Sequence, residues 1–249
     1  MPSKKIGLIA VLILILALCL GAFALLSKDK PQEPNNLTLK EATTDATKNE
    51  LPAYTIDFTA AKRERTLGNR NAPVKISEHS SFTCGHCGNF HKQTFAQFKA
   101  EWIDTQKAYL VFSDFPLNGP ALHASMIARC TPEDRYFEFV NELFAKQEEW
   151  AFERNYLDIL KKYAHTYGLS KENVETCLKN EDLQKTILDR VRGNQAQFGI
   201  NSTPSFVVNN TTTIIGSLDY ESFNKTIEEA LNPAPPAAEA AAEEGAATE

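Results

Sequence analysis

Two cysteines separated by two residues stand where one kind of secondary structure gives way to another. Residues 73–78 (Pro-Val-Lys-Ile-Ser-Glu) alternate as a half-buried strand, with Val74 and Ile76 on one face. The tetrad Cys84-Gly85-His86-Cys87 follows after a short loop, and Phe95, Phe98 and Trp102 then recur at helical spacing. Cysteines at i and i+3 in a first helical turn lie on the same side of the helix. The upstream one meets free N–H groups and the positive end of the helix dipole, which stabilise a thiolate. Such a pair can close a small disulfide ring and reopen it. Cys84 is placed to attack, and Cys87, one turn in and more buried, to resolve the mixed disulfide. Gly85 lets a substrate backbone approach. A protonated His86 beside Cys84 would lower its pKa. A low pKa stabilises the reduced form and makes the disulfide a stronger oxidant.

Two other readings of the pair were weighed against this one. Zinc could be held with His79, His86 or His91, but a structural site takes a second ligand pair at similar spacing, and Cys130 and Cys177 do not supply one. A purely structural disulfide at this spacing would be strained. Redox exchange is the stronger reading, with no metal and no cofactor, because the sulfurs carry the electrons themselves.

The ends of the chain set the expected compartment. Lys4 and Lys5 precede an apolar run from Ile6 to Leu26, long enough to span a bilayer. It reads either as an uncleaved anchor or as a signal peptide cut after Ala22-Phe23-Ala24, with lipidation at Cys19 a third reading. All three export the rest of the chain, and the short leader points to the bacterial periplasm. Four of the five cysteines lie in the exported part, an even number suited to an oxidising compartment. Residues 27–53 are polar and read as a flexible tether; residues 233–249 are an Ala/Glu tail expected to be disordered. The net charge is −6 with no basic patch, which argues against nucleic acid as a partner.

Between these ends the pattern is mixed. Tyr54 to Phe58 alternates weakly, as a short strand would. Ala108 to Phe112 reads as a buried strand, ended by Asp114-Phe115-Pro116. A long helical region follows, with stripes at Leu122/Met126/Cys130, Phe137/Val140/Phe144, Leu157/Leu160/Ala164, Val174/Cys177/Leu178 and Leu183/Ile187/Val191. Ser205–Val208 and Thr212–Ile215 read as a hairpin turning at Asn209-Asn210, and Asp219 caps a closing helix through Phe223 and Ile227. The expectation is an α/β domain over 54–118 and 199–232, interrupted by a helical insertion at 119–198.

With these elements in place the sequence resembles the DsbA-like family of bacterial disulfide oxidoreductases, within the thioredoxin superfamily. The resemblance covers about residues 65–231. It is carried by Leu67-Gly68-Asn69, Ala72-Pro73-Val74, Glu78, Phe82-Thr83-Cys84-Gly85-His86-Cys87, Asp114-Phe115-Pro116-Leu117, Cys177-Leu178, and Phe198-Gly199-Ile200 leading into Thr203-Pro204-Ser205-Phe206. It implies a thioredoxin fold with a helical insertion. It implies a cis bond before Pro204, in a loop where Thr203 offers backbone groups to substrate peptide. It implies that Glu78 is a buried carboxylate beneath Cys87, able to take or return its proton. Cys130 and Cys177 resemble a second pair that some members bond, stabilising the insertion by roughly 3 to 4 kcal/mol.

The resemblance also implies partners: unfolded exported proteins as substrates, and a quinone-linked membrane oxidase of the DsbB type that restores the disulfide of a monomeric enzyme. Gly85 and Thr203 depart from the best-known member, which has proline and valine there. They leave room for an isomerase or reductase kept reduced by a membrane reductant. A surface binding protein with a vestigial redox site is the remaining alternative.

Overall fold

The structure is a computed structural model and describes residues 54–231. The expected leader, tether and Ala/Glu tail lie outside the described residues. Among the described residues no helix is long and apolar enough to cross a membrane.

Five strands form one mixed sheet: β1 (Arg65–Leu67), β2 (Val74–Ser80), β3 (Ala108–Asp114), β4 (Ser205–Val208) and β5 (Thr212–Ile215). Their spatial order is β1-β3-β2-β4-β5. Only the central pair, β2 and β3, is parallel, with Ile76 opposite Leu110 and Glu78 opposite Phe112. A parallel pair needs a crossover, and the helical run 85–103 (α2) supplies it. That run alternates α-turns at Gly85–Asn89 and Phe95–Phe98 with π-turns at Phe90–Thr94 and Lys99–Ile103. Phe95, Phe98 and Trp102 are buried along it, as their spacing predicts.

Between β3 and β4 the described chain is helical: α3 (Gly119–Cys130), α4 (Tyr136–Ala145), α5 (Gln147–Trp150), α6 (Tyr156–Thr166), α7 (Lys171–Leu178) and α8 (Glu181–Phe198). Helix α8 stops at Gly199, whose φ of 67° is the left-handed cap that glycine adopts without strain. Asn209 and Asn210 are also left-handed and turn the β4–β5 hairpin. Asp219 caps the closing helix α9 (Tyr220–Leu231), accepting from the backbone N–H of Ser222 at 2.9 Å. The architecture is a thioredoxin fold carrying a helical insertion.

Two large apolar clusters hold these layers, with a third, small one at Phe115, Ile200 and Val207. One packs Val74, Ile76, Leu110 and Phe206 of the sheet against Phe90, Phe98, Trp102, Phe223 and Ile227. The other fills the helical region with Met126, Tyr136, Phe139, Val140, Phe144 and Leu160, and reaches back to Phe82, Cys87 and Phe112. Cys130, the last residue of α3, and Cys177 of α7 form a disulfide inside this second cluster, both side chains buried. The start of α2 sits on the seam between clusters: Cys87 belongs to one and Phe90 to the other.

Two local expectations differ from the structure. Tyr54–Phe58 is not a strand. Asp57 accepts from the N–H groups of Thr59 and Ala60 at 2.8 and 3.0 Å, and so opens a helical turn, α1 (Phe58–Ala61). The alternation itself is real: Tyr54, Ile56 and Phe58 lean on the helical cluster, but no strand lies beside them to complete a ladder. Strand β1, by contrast, has no sequence signal. It is three residues long, begins with arginine, and exists because β3 offers a free edge to pair with.

Candidate active site

Strand β2 ends at Ser80, and Ser81–Thr83 turn the chain into α2, with the Cys84 N–H donating to the Ser81 carbonyl at 3.0 Å. Cys84 is the N-cap residue, its backbone extended, and its sulfur accepts from the Cys87 N–H at 3.4 Å. Both thiols are free; Cys84 is half-buried and Cys87 fully buried. Gly85 and His86 are exposed at the mouth. A Cβ at Gly85 would meet nothing within 4 Å, so this side of the tetrad is open to a ligand chain.

The sheet delivers the facing loop. Strand β4 runs antiparallel to β2, with Glu78 opposite Phe206 and His79 opposite Ser205. The residues just before β4 therefore lie at the same end of the sheet as the residues just after β2. The Thr203–Pro204 bond there is cis, and the Thr203 carbonyl lies 3.3 Å from the Cys84 sulfur.

The two sulfurs titrate apart. The Cys84 pKa is lowered to about 5, first by the hydrogen bond that the Cys87 thiol donates to it. Burial works against this; the Thr203 side chain and the backbone N–H groups of Cys87 and His86 add to it. The Thr203 hydroxyl is buried without a hydrogen-bond partner and helps to lower the Cys84 pKa by its nearness to the sulfur. Cys87 moves the other way, its thiol pushed far up by burial and by the thiolate beside it. His86 contributes through its backbone N–H, while its ring stands in solvent. The ring charge expected to depress Cys84 is thus replaced by hydrogen bonds.

Beneath Cys87 lies a small polar chain. Glu78 is fully buried. Its Oε1 accepts from the Ser80 hydroxyl at 2.5 Å and from the His91 ring nitrogen Nε2 at 2.8 Å. The Ser80 side chain and the Ser81 backbone in turn reach the Cys87 sulfur. His91 is clamped between the rings of Phe144 and Phe95, with centroids at 4.1 and 4.7 Å. The three histidines near the tetrad go three ways: His91 to Glu78, His86 to solvent, and His79 into the opposite side of the sheet.

Gln147, the first residue of α5, ties the helical region to the tetrad. Its Nε2 donates to the carbonyls of Phe82 and Cys84 at 2.8 and 2.9 Å. Its Oε1 lies over Gly88, where a Cβ would come within 2.6 Å of it. Sequence reasoning missed Gln147, Ser80 and His91 as parts of the site. His91 alone left a signal, one helical turn beyond Cys87; Gln147 reaches the site only through tertiary packing. Beside the turn that leads into the tetrad, Leu117 is 55% exposed. The backbone N–H of Leu117 is tied to the Ser81 hydroxyl at 3.3 Å.

Comparison with known proteins bears on the family and the fold. The sequence profile of the family described as Thioredoxin matches residues 60–229. A protein of Rickettsia conorii named as a protein-disulfide oxidoreductase is 27% identical over 205 residues, covering 81% of this chain and 73% of the relative. A protein of Bacillus anthracis named as disulfide bond formation protein D is 29% identical over 194 residues, covering 74% of this chain and 82% of the relative. The crystal structure of Wolbachia pipientis alpha-DsbA1 is similar with a TM-score of 0.63 at 25% identity, covering 68% of this chain and 92% of that one.

Proposed function

For a chain that belongs to the thioredoxin family and is a DsbA-like thiol–disulfide oxidoreductase, we propose that the working direction is oxidation: Cys84 and Cys87 give their disulfide to exported proteins. The observation that carries this reading is the opposite displacement of the two thiols, with Cys84 lowered to about 5 and Cys87 raised. A thiolate this stable favours the reduced pair and so makes the disulfide ready to leave.

The exchange runs in two displacements. A substrate thiolate attacks the Cys84 sulfur of the oxidised pair; the Cys84–Cys87 bond breaks and Cys87 leaves, taking up one proton to become a thiol. A second substrate thiolate then attacks the substrate sulfur of the mixed disulfide. The substrate disulfide forms, and Cys84 departs as the thiolate that its surroundings already favour. Glu78 is assigned the proton, passed to Cys87 through the Ser80 hydroxyl, with His91 holding the carboxylate in place. Thr203 receives the peptide backbone beside Cys84, and the exposed Leu117 offers an apolar side chain to an unfolded segment.

The Bacillus relative's name attaches disulfide formation to that protein, which supports the same direction here. The remaining parts of the proposal come from the sequence. The domain works in the periplasm as a monomer, with 119–198 as an insertion between 54–118 and 199–232. It is released from its leader or anchored by it, and a DsbB-type quinone-linked membrane partner reoxidises it. The isomerase or reductase reading rests on Gly85 and Thr203, whose exposed flank and extra hydroxyl suit a site that binds misbonded chains. Trapping thiols by alkylation in intact cells separates the two. A pair found mostly oxidised supports the oxidase; a pair found mostly reduced supports the isomerase.

A further inference from the structure

Around β1 and the backbone carbonyls of Ala61–Arg63 that precede it, three guanidinium groups gather within the fold. Arg129 of α3 is 2% exposed; its Nε pairs with Asp114 and its Nη1 donates to the carbonyls of Ala61 and Arg63 at 3.1 and 2.9 Å. Arg65 of β1 is 3% exposed. Its Nη2 donates to the Arg129 carbonyl and its guanidinium lies 4.9 Å from the Tyr136 ring centre, yet its Nε and Nη1 have no partner. Arg190 of α8 gives Nη2 to the Lys62 carbonyl and leaves a buried Nη1 unpartnered. Asp114 is the buried carboxylate that pairs with them, through Oδ2 on Arg129, while its Oδ1 has no partner; Glu78, the other buried carboxylate among the described residues, is bound to Ser80 and His91. Of the nearby acids, Glu133 pairs with Arg63 at 3.3 Å, and Glu64, which lines the cavity described next, lies 3.5 Å from Arg70 and 3.9 Å from Lys75. Buried charge is ordinarily matched by opposite charge and by hydrogen bonds.

A cavity of about 350 Å³ opens onto this cluster, walled by Arg129, Arg190, His79 and Asn194, with Lys75 and the carboxylate of Glu64 also lining it. His79 is 1% exposed, and neither ring nitrogen has a partner. Burial pushes its pKa down to about 4, so at neutral pH the ring is uncharged and brings one N–H donor to the cavity wall. The unmet donors along this wall are thus those of Arg190 and His79, with Lys75 at the mouth in a loose 3.9 Å pair with Glu64.

We propose that this cavity is a binding site for a small oxyanion of the phosphate class, held by Arg190 Nη1 and the His79 ring with Lys75 at the entrance. The space equals that of roughly ten water molecules, so the anion keeps part of its hydration. The site lies across the sheet from Glu78 and is separate from the thiol chemistry. Either free phosphate or a phosphate group carried on a larger molecule presents the same chemistry.

The test uses the full chain, titrated with inorganic phosphate at constant ionic strength set by sodium chloride, with glycerol phosphate in a parallel arm. The His79 ring protons are followed by NMR and the melting temperature alongside. The expected result is a saturable movement of the His79 resonances and a rise in melting temperature with at least one of the two probes. The R190Q variant should bind at least tenfold more weakly while its exchange rate at Cys84 stays the same. Tighter binding of inorganic phosphate identifies the free ion as the ligand; tighter binding of glycerol phosphate identifies a carried group. His79 resonances unmoved by either probe would overturn the proposal, and so would equal binding by native chain and variant. K75M, changed at the cavity mouth, keeps the comparison available if R190Q does not fold; it should weaken binding about threefold.

Discussion

The chain holds two cysteine pairs with opposite fates. Cys130 and Cys177 lie in the helical cluster, both buried and bonded to each other. Cys84 and Cys87 stand at the first turn of α2. One sulfur there is half-exposed and collects hydrogen bonds; the other is buried and denied its charge. The sulfur chemistry is the same in both pairs. The difference is that a helix N-terminus, a facing carbonyl and an open Gly85 surround one pair, whereas closely packed side chains surround the other.

Replacing Cys84 with serine breaks the comparison most severely. Exchange with a dithiol peptide should fall by about 10³-fold or more, because no other nucleophile faces the open mouth. Circular dichroism should show the fold intact. Replacing both Cys130 and Cys177 with alanine should do the reverse. Denaturant unfolding should show a loss of about 3 to 4 kcal/mol, the loop-entropy value, while the exchange rate changes by less than about threefold.

Glu78→Gln sharpens the role of the buried member. It keeps the shape but cannot return a proton, so opening of the oxidised pair should slow by about 10- to 100-fold. Alkylation of Cys84 in the reduced protein should be unaffected, which distinguishes proton delivery from general damage. Gln147→Ala is a smaller change. It removes two hydrogen bonds to the carbonyls of Phe82 and Cys84, and a stability loss of about 1 to 3 kcal/mol follows if no water replaces them.

Most of this contrast was legible in the sequence because it is local. The strand, loop and helix around the tetrad follow from residues within one stretch, and the helical stripes from their own periodicity. Thr203 and Glu78 could be singled out only through the family resemblance. The structure gives the reason: β4 beside β2 brings Thr203 to Cys84, and two turns of chemistry, Ser80 and His91, connect Glu78 to its surroundings. What stayed hidden depends on distant packing. Gln147 approaches from α5, and Arg190 closes the rear cavity from α8, with no pattern near either to announce it. The sequence points to the His86 ring as the group that lowers the Cys84 pKa; in the structure His86 is exposed, and the lowering comes first from Cys87, then from Thr203 and the backbone.

The sign of the pH effect follows from the same asymmetry. The Cys84 pKa is lowered on folding from 9.0 to about 5, so the folded reduced protein favours the thiolate. That stabilisation of the reduced state is present in full above about pH 9 and is lost as the pH falls through about 5. The most direct test is the rate at which iodoacetamide alkylates each thiol of the reduced protein between pH 3 and 10, read by mass spectrometry. The account predicts that Cys84 reacts with a midpoint near pH 5 and a plateau above it, while Cys87 stays unmodified. A Cys84 rate that keeps climbing through pH 8 to 9, with Cys87 reacting alongside, would contradict it.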